Sequence, residues 1–489
     1  MKSYKTLFLL LLISQISFSQ QLTLNDLENI CNKSNWENVN QFLMNKNFSV
    51  SVNKKIKKFN RKIKIPGDKS CSIRALIFGS VCIGTTKIKN LLESQDVLDC
   101  VQALKNLGVK VVKNKETYEV YGNGLGSFIN NKKIKIWVGN SGTTSRILAG
   151  LLSTHPGKFY LYGDKSMNRR DMSRVFKPLE KIGAFFYPKN KRTLPITIEG
   201  TSMPLAQTHE ENLGSAQVKS SLLAAFLNTP GISKVLEQKA SRDHTEILLK
   251  KISNIKIKKT KKGNLIFVEG QKNLHAFNYK VGNDPSSAAF LIALTLLSPG
   301  SKLTLPNVIC NETRIGFIKI LKKMNANIKI KNLKRDVSSG ELLGTIVTRS
   351  SKLKPITVSK DTAKFIDEVP ILAICSALLA NGLTKFNNVG ELAHKESNRL
   401  LEIKKILSQI GIKCKITKDS IKIYGKNKME TKNKSILVNT KGDHRICMSA
   451  VILALALGIK TKIKFFDANT SFPKFIPIIK SLGGNIVIN

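Results

Sequence analysis

Six times between Pro66 and Phe466 the chain repeats one local pattern, and that repetition limits its fold more than any other feature. A polar turn opens an apolar helical stretch, a break follows, and then a β-rich segment. The copies are PGDKSCSIRALIFG from Pro66, VGNSGTTSRILAGLL from Val138, LGSAQVKSSLLAAFL from Leu213, VGNDPSSAAFLIALTLL from Val281, AKFIDEVPILAICSALL from Ala363 and KGDHRICMSAVILALAL from Lys441. Each helical stretch is apolar around most of its circumference, which marks a helix enclosed by the rest of a domain. The segments that follow, such as TKIKNL and SKLTLPNV, alternate apolar and polar residues as half-buried strands do. Amphipathic stretches between copies, such as DVLDCVQALKNLGVKV from Asp96 and SRVFKPLEKIGAFF from Ser173, read as outer helices. A chain of 489 residues exceeds what one core supports. The expectation is an α/β protein of two similar domains, each of three repeated βαβαββ-like units with buried central helices.

Taken singly, any of these turns can be an ordinary helix cap, because Ser, Asn and Asp cap helices routinely. Six of them opening six buried helices suggest more. Helix N-termini carry free N–H groups and a partial positive charge, so ends that converge on a cleft suit a small ligand with phosphate or carboxylate groups. The 80 Lys and Arg residues against 33 acidic ones, a formal net charge of +47, raise nucleic acid as a partner. The basic residues are spread along the chain, and no basic stripe interleaved with aromatics occurs, so a nucleic-acid partner is not expected. None of the eight cysteines has the close spacing of a zinc ligand set or a CxxC site, and neither metal nor cofactor is expected. At the N-terminus, Lys2 and Lys5 precede the apolar run Leu7 to Ile13, and Ser17-Phe18-Ser19 resembles a cleavage site, a match to a secretory signal peptide.

The stretches PGDKSCSIRAL, GNSGTTSRIL, GDKSMNRRDM, SAQVKSSLL, SRDHTE, GNDPSSAAF, IDEVPILA, KESNRL, GDHRICM and SFPKF occur here in the order found in the 5-enolpyruvylshikimate-3-phosphate synthases. From about Lys62 to the C-terminus the chain resembles that family, in the pattern of its second class. The resemblance implies the enolpyruvyl transferase fold, divided into 67–282 as one domain and 56–66 with 283–489 as the other. Residues 1–55 would be a signal-like or fused leader outside the fold, and the active site would lie in the cleft.

It also implies two small-molecule substrates, shikimate 3-phosphate and phosphoenolpyruvate, with the 5-hydroxyl of the first attacking C2 of the second and phosphate leaving. Carried over by position, Lys69, Ser70, Arg74, Ser215, Gln217, Ser241, Asp367 and Lys395 would hold shikimate 3-phosphate, with Arg242 an addition. Lys69, Gly142, Arg170, Gln217, Arg399 and Arg445 would hold phosphoenolpyruvate. Asp367 would be the base on the 5-hydroxyl, and Glu396, with Lys69 able to share the role, the acid that protonates the methylene carbon. Asp171 stands where the family commonly has Pro, and Asn398 where it has Asp. Arg146 is read as structural, and His244 and His444 as hydrogen-bonded supports. The sister transferase acting on UDP-N-acetylglucosamine shares the fold but carries a reactive Cys in a mobile loop, and no Cys here has that setting. A cytoplasmic monomer is expected, against the signal-like residues 1–20.

Overall fold

The computed structural model describes residues 49–128, 130–253, 255–426 and 435–488, so the signal-like segment 1–20 and the chain up to residue 48 lie outside the described residues. Each of the six turns opens a helix: α1 (Lys69–Ser80), α2 (Gly142–Leu152), α3 (Ala216–Leu227), α4 (Pro285–Leu297), α5 (Val369–Leu379) and α6 (His444–Leu457). Every residue of α4 is buried, and so is every residue of α5 except Leu379. A helix enclosed on all sides has no face to give to water, which is why these segments lack amphipathic periodicity. The outer helices, such as Gln95–Asn106 and Ser173–Ile182, bury one side only.

The described strands form six four-stranded sheets. In the first, Ile83–Lys89 follows α1 and lies between Asn278–Lys280, parallel to it, and Thr117–Asn123, antiparallel, with Lys110–Asn114 outermost. The other sheets repeat this order of one parallel and two antiparallel pairings. Two buried clusters result. One runs from Cys71 to Val281 with Ile309 and Leu343; the other takes Val50 to Ile65 and Ala288 to Ile486.

The chain passes between the clusters twice because two strands are exchanged. Asn60–Lys62 precedes α1 yet pairs with Lys302–Ile309 in the second half, whereas Asn278–Lys280 precedes α4 yet pairs in the first. The two crossings run side by side, with Asp68 N donating to Gly282 O at 2.8 Å and Asp284 N to Pro66 O at 3.0 Å. Gly67 is required there, since a Cβ would stand 2.2 Å from the backbone oxygen of Asn90.

One expectation needs correcting. Strand β1 (Ser49–Val52) lies inside the sixth sheet, whose other members are β2 (Ser435–Asn439), β3 (Lys460–Lys464) and β4 (Ile486–Ile488). It runs antiparallel to both β3 and β4, with Val50 opposite Ile463 and Ile488. The boundary at residue 55 therefore cut off a strand that the fold uses. The alternation in Ser-Val-Ser-Val has the strand period, but its partners stand at the far end of the sequence, where no local pattern points to them.

Candidate active site

Five of the six central helices are capped at their N-terminus by a side chain: Asp68, Ser141, Ser215, Asp284 and Asp443 each accept from backbone N–H groups of the first turn. The exception is α5. It is entered through a short 3₁₀ turn, Ile366–Glu368, and no side-chain cap bond is made. Asp367 and Glu368 are thereby free of the commonest structural duty of an acidic residue at that place.

Asp367 spends its carboxylate on cations instead. Arg242 Nη2, from the other half of the chain, donates to its Oδ2 at 2.6 Å, while Arg399 Nη1 and Lys395 Nζ stand 3.7 and 3.8 Å from Oδ1. Arg445 Nη1 donates to its backbone oxygen at 2.9 Å. Burial alone would push this carboxyl up, but Arg242, Lys395, Arg445 and Arg399 together hold it well below the usual carboxylate range. Glu396 is similar. Burial is again outweighed, here by Arg399, whose Nη2 lies 2.5 Å from Oε2, and by Arg170, 3.4 Å from Oε1. Arg399 is itself fixed from behind, with Nε donating to Asp443 Oδ2 at 2.9 Å. Two carboxylates, each caged by guanidinium groups from both halves, thus face one cleft.

The cleft wall brings together Lys69, Ser70, Gly142, Arg170, Gln217, Arg242, Asp367, Lys395, Glu396, Arg399 and Arg445. Lys69 is held by Asp96, Nζ to Oδ2 2.7 Å. Three expected ligands are placed otherwise. Arg74 is buried behind the wall, where Nε donates to Thr245 Oγ1 at 2.7 Å and Nη2 to Ser220 Oγ at 3.0 Å. Ser215 accepts from Val218 N as the cap of α3, and Ser241 Oγ donates to Glu237 Oε1 at 2.6 Å. Their polar atoms serve the frame of the site, directly behind the residues that line it.

Arg146 goes the other way. Read as structural, it lines the cleft, with Nη1 donating to Gln217 Oε1 at 2.6 Å. Gly142 is what lets it lie there, since a Cβ at that position would meet Arg146 Nη1 at 2.6 Å. The Gly142–Arg146 spacing of four residues on α2 was the available signal. Of the two histidines, His244 is a hydrogen-bonded support, Nδ1 to Glu341 Oε1 2.7 Å. His444 is buried at the cleft wall with no partner for Nδ1 among the described residues, and burial holds its imidazole well below its ordinary pKa. Cys71 joins His244 and Glu341 in a group whose ligand atoms lie within 4.8 Å of one another. With the imidazole and carboxylate bonded to each other and burial pushing the thiol well up, that group is a contact between the two halves of the chain. All seven described cysteines are free and buried, and among the described residues no helix is long and apolar enough to cross a membrane.

The profile of the family described as EPSP synthase (3-phosphoshikimate 1-carboxyvinyltransferase) matches residues 53–479. A 3-phosphoshikimate 1-carboxyvinyltransferase of Paramagnetospirillum magneticum is 36% identical over 427 residues, covering 86% of this chain and 94% of that one. One from Caldicellulosiruptor saccharolyticus is 38% identical over 426 residues, covering 86% and 96%. Among solved structures, an EPSP synthase from Acinetobacter baumannii superposes with a TM-score of 0.75 at 33% identity, covering 90% of this chain and all of the other. The enolpyruvyl transferase NikO from Streptomyces tendae, at 11% identity and a TM-score of 0.72, shares the fold.

Proposed function

The chain belongs to the EPSP synthase (3-phosphoshikimate 1-carboxyvinyltransferase) family, and we propose that Asp367 is the base of its reaction. The enzyme transfers the enolpyruvyl group of phosphoenolpyruvate to the 5-hydroxyl of shikimate 3-phosphate and releases phosphate. Asp367 takes the hydroxyl proton as the oxygen attacks C2, and Glu396, which takes up a proton from solvent once substrate anions draw its cations away, gives that proton to the methylene carbon, forming a tetrahedral intermediate. Return of a methyl proton to the Glu396 carboxylate as phosphate departs then restores the double bond. Arg170, Arg399 and Arg445 clamp phosphoenolpyruvate with Lys69, and Gly142 keeps their side of the wall thin. Arg242, Lys395, Ser70 and Gln217 take shikimate 3-phosphate. Guanidinium forks suit carboxylate and phosphate because they bind them in pairs of hydrogen bonds.

The observation that carries this reading is the uncapped fifth turn, which leaves Asp367 facing Arg242, Lys395 and Arg399. In the free enzyme those cations keep both carboxylates weakly basic. Substrate phosphate and carboxylate compete for the same cations, so binding raises the proton affinity of Asp367 and Glu396 at the moment it is needed. The test is phosphate release from phosphoenolpyruvate, dependent on shikimate 3-phosphate, for the wild type and Asp367→Asn. The variant should lose on the order of 100- to 10,000-fold in kcat, with KM values near those of the wild type. A kcat within a few-fold of wild type would remove Asp367 from the role. We also place the enzyme in the cytoplasm as a monomer, a reading supported by its internal metabolite substrates. We divide it at the two crossings, into 67–282 and 56–66 with 283–489, a division supported by the two separate cores, and β1 joins the second.

A further inference from the structure

Arg314 lies outside all six turns, just ahead of the outer helix Gly316–Lys323, and only 3% of it is exposed. Three buried carboxylates converge on its guanidinium, each from a different central turn. Nη2 stands 3.1 Å from Asp68 Oδ2 and 3.3 Å from Asp284 Oδ1, and Nη1 is 3.6 Å from Glu368 Oε1 while donating to Ser286 Oγ at 2.8 Å. Asp68 and Asp284 cap α1 and α4, one in each half of the chain, at the paired crossings. Glu368 is the neighbour of Asp367, and the same Oε1 accepts from Arg445 Nη1 at 3.1 Å.

The arrangement is poor as plain fold stabilisation. Burying a guanidinium and three carboxylates is expensive, and an apolar cluster of equal volume commonly serves stability as well or better. What charge provides is fixed geometry. Arg314 is the element through which the turn bearing Lys69 and Ser70 meets the turn bearing Asp367 and, through Glu368, the guanidinium of Arg445. Its partners show the strain of the crowding. Burial and the nearby Asp68 push Asp284 up to about 6, against the pull of Arg314, whereas at Asp68 burial is outweighed by Arg314, His244 and the Cys71 N–H together, which hold it far down.

We propose that Arg314 is a positioning residue for enolpyruvyl transfer. By joining Asp68 of one domain to Asp284 and Glu368 of the other, it sets the distance between the Lys69 turn and Arg445. The phosphoenolpyruvate half of the site therefore depends on it more than the shikimate 3-phosphate half. The inference rests on the assignment of Lys69 and Arg445 to phosphoenolpyruvate given above.

Arg314→Gln, Arg314→Lys and Asp68→Asn test it in the full chain. Asp68→Asn keeps the oxygen that caps α1, which accepts from Cys71 N at 2.8 Å, and breaks only the link to Arg314. The readouts are KM for each substrate, kcat, thermal midpoint, and shikimate 3-phosphate affinity by calorimetry without phosphoenolpyruvate. We expect KM for phosphoenolpyruvate to rise at least about tenfold in Arg314→Gln and Asp68→Asn, since a misplacement of 1 Å can cost on the order of 100-fold. Shikimate 3-phosphate affinity should stay within about threefold, and Arg314→Lys should recover part of the loss by restoring one charge. Equal weakening of both substrates, or a lowered thermal midpoint with unchanged KM for phosphoenolpyruvate, overturns the proposal. If Arg314→Gln does not fold, an unchanged KM in Asp68→Asn overturns it alone. Failure of the base assignment is separable, because it appears as retained kcat in Asp367→Asn with Arg314 intact.

Discussion

Asp367 and His155 owe their protonation states to opposite causes, and each makes a statement about pH. Asp367 is kept ionised by neighbouring cations; His155 is kept neutral by burial. Fully buried, its ring meets Leu151 O at 2.7 Å through Nδ1 and accepts from Gly126 N at 3.1 Å through Nε2. Those partners assign the proton to Nδ1. Burial pushes its pKa down to about 4, so an unfolded chain takes up a proton near pH 6.5 that the folded one refuses until about 4. Stability from this group is complete above pH 6.5 and falls as pH drops through that window, by up to about 3 kcal/mol. Urea midpoints measured from pH 7 to 4.5 should show that slope in the wild type and a flatter one in His155→Gln. The same slope in both would assign it to other groups. At this scale the sequence told most where a residue sat on a repeated turn. Asp367, Lys69 and Arg445 were visible for that reason. Arg314 was not, because it stands between a strand and an outer helix and its carboxylate partners are distant in sequence.

Among the elements, α3 shows how a buried helix can carry charge. Lys219, on its inner side, has no exposed surface, and its Nζ lies 2.5 Å from both Glu237 and Glu246. Glu237 in turn accepts from Ser241 N at 2.9 Å and from Asn264 Nδ2 at 3.1 Å, so this triad shapes the turn that leads to Arg242. Removing the cation alone strands two carboxylates away from water. Lys219→Met should lower unfolding free energy by about 3–5 kcal/mol in denaturant titrations. A loss below about 1 kcal/mol would mean that the carboxylates take up protons at little penalty. From the sequence, α3 was legible as a buried helix because one Lys hardly alters its apolar run. That the Lys points inward was not legible, since its two partners come from a strand and an outer helix further along the chain.

For the whole molecule, the +47 charge says less than the placement of two acidic residues. Cations from both halves would repel across an empty cleft, yet Arg242–Asp367 at 2.6 Å and Arg170–Glu396 at 3.4 Å bridge it. The two residues proposed for the chemistry thus also join the halves. The repeats announced the two-core plan, and the family resemblance put 56–66 with the second half, but β1 could not be inferred, since its partners are remote in sequence. Removing residues 1–47 should leave the thermal midpoint and activity near those of the full chain. Removing 1–55 takes β1 out of its sheet and should leave a chain that unfolds several degrees lower or is insoluble. Equal midpoints for the two truncations would show that the sheet closes without β1.

The position of β1 also sets an order in time. Apart from Ile309 and Leu343, the first core is drawn from one continuous stretch and can largely form while the rest of the chain is still being made. The second cannot finish, because β1 leaves the ribosome early and waits for β3 and β4. Through that interval its Val-bearing edge has no partner, the condition under which strands pair with the wrong neighbour. Of the described strands, the earliest to be synthesised is among the last to be paired.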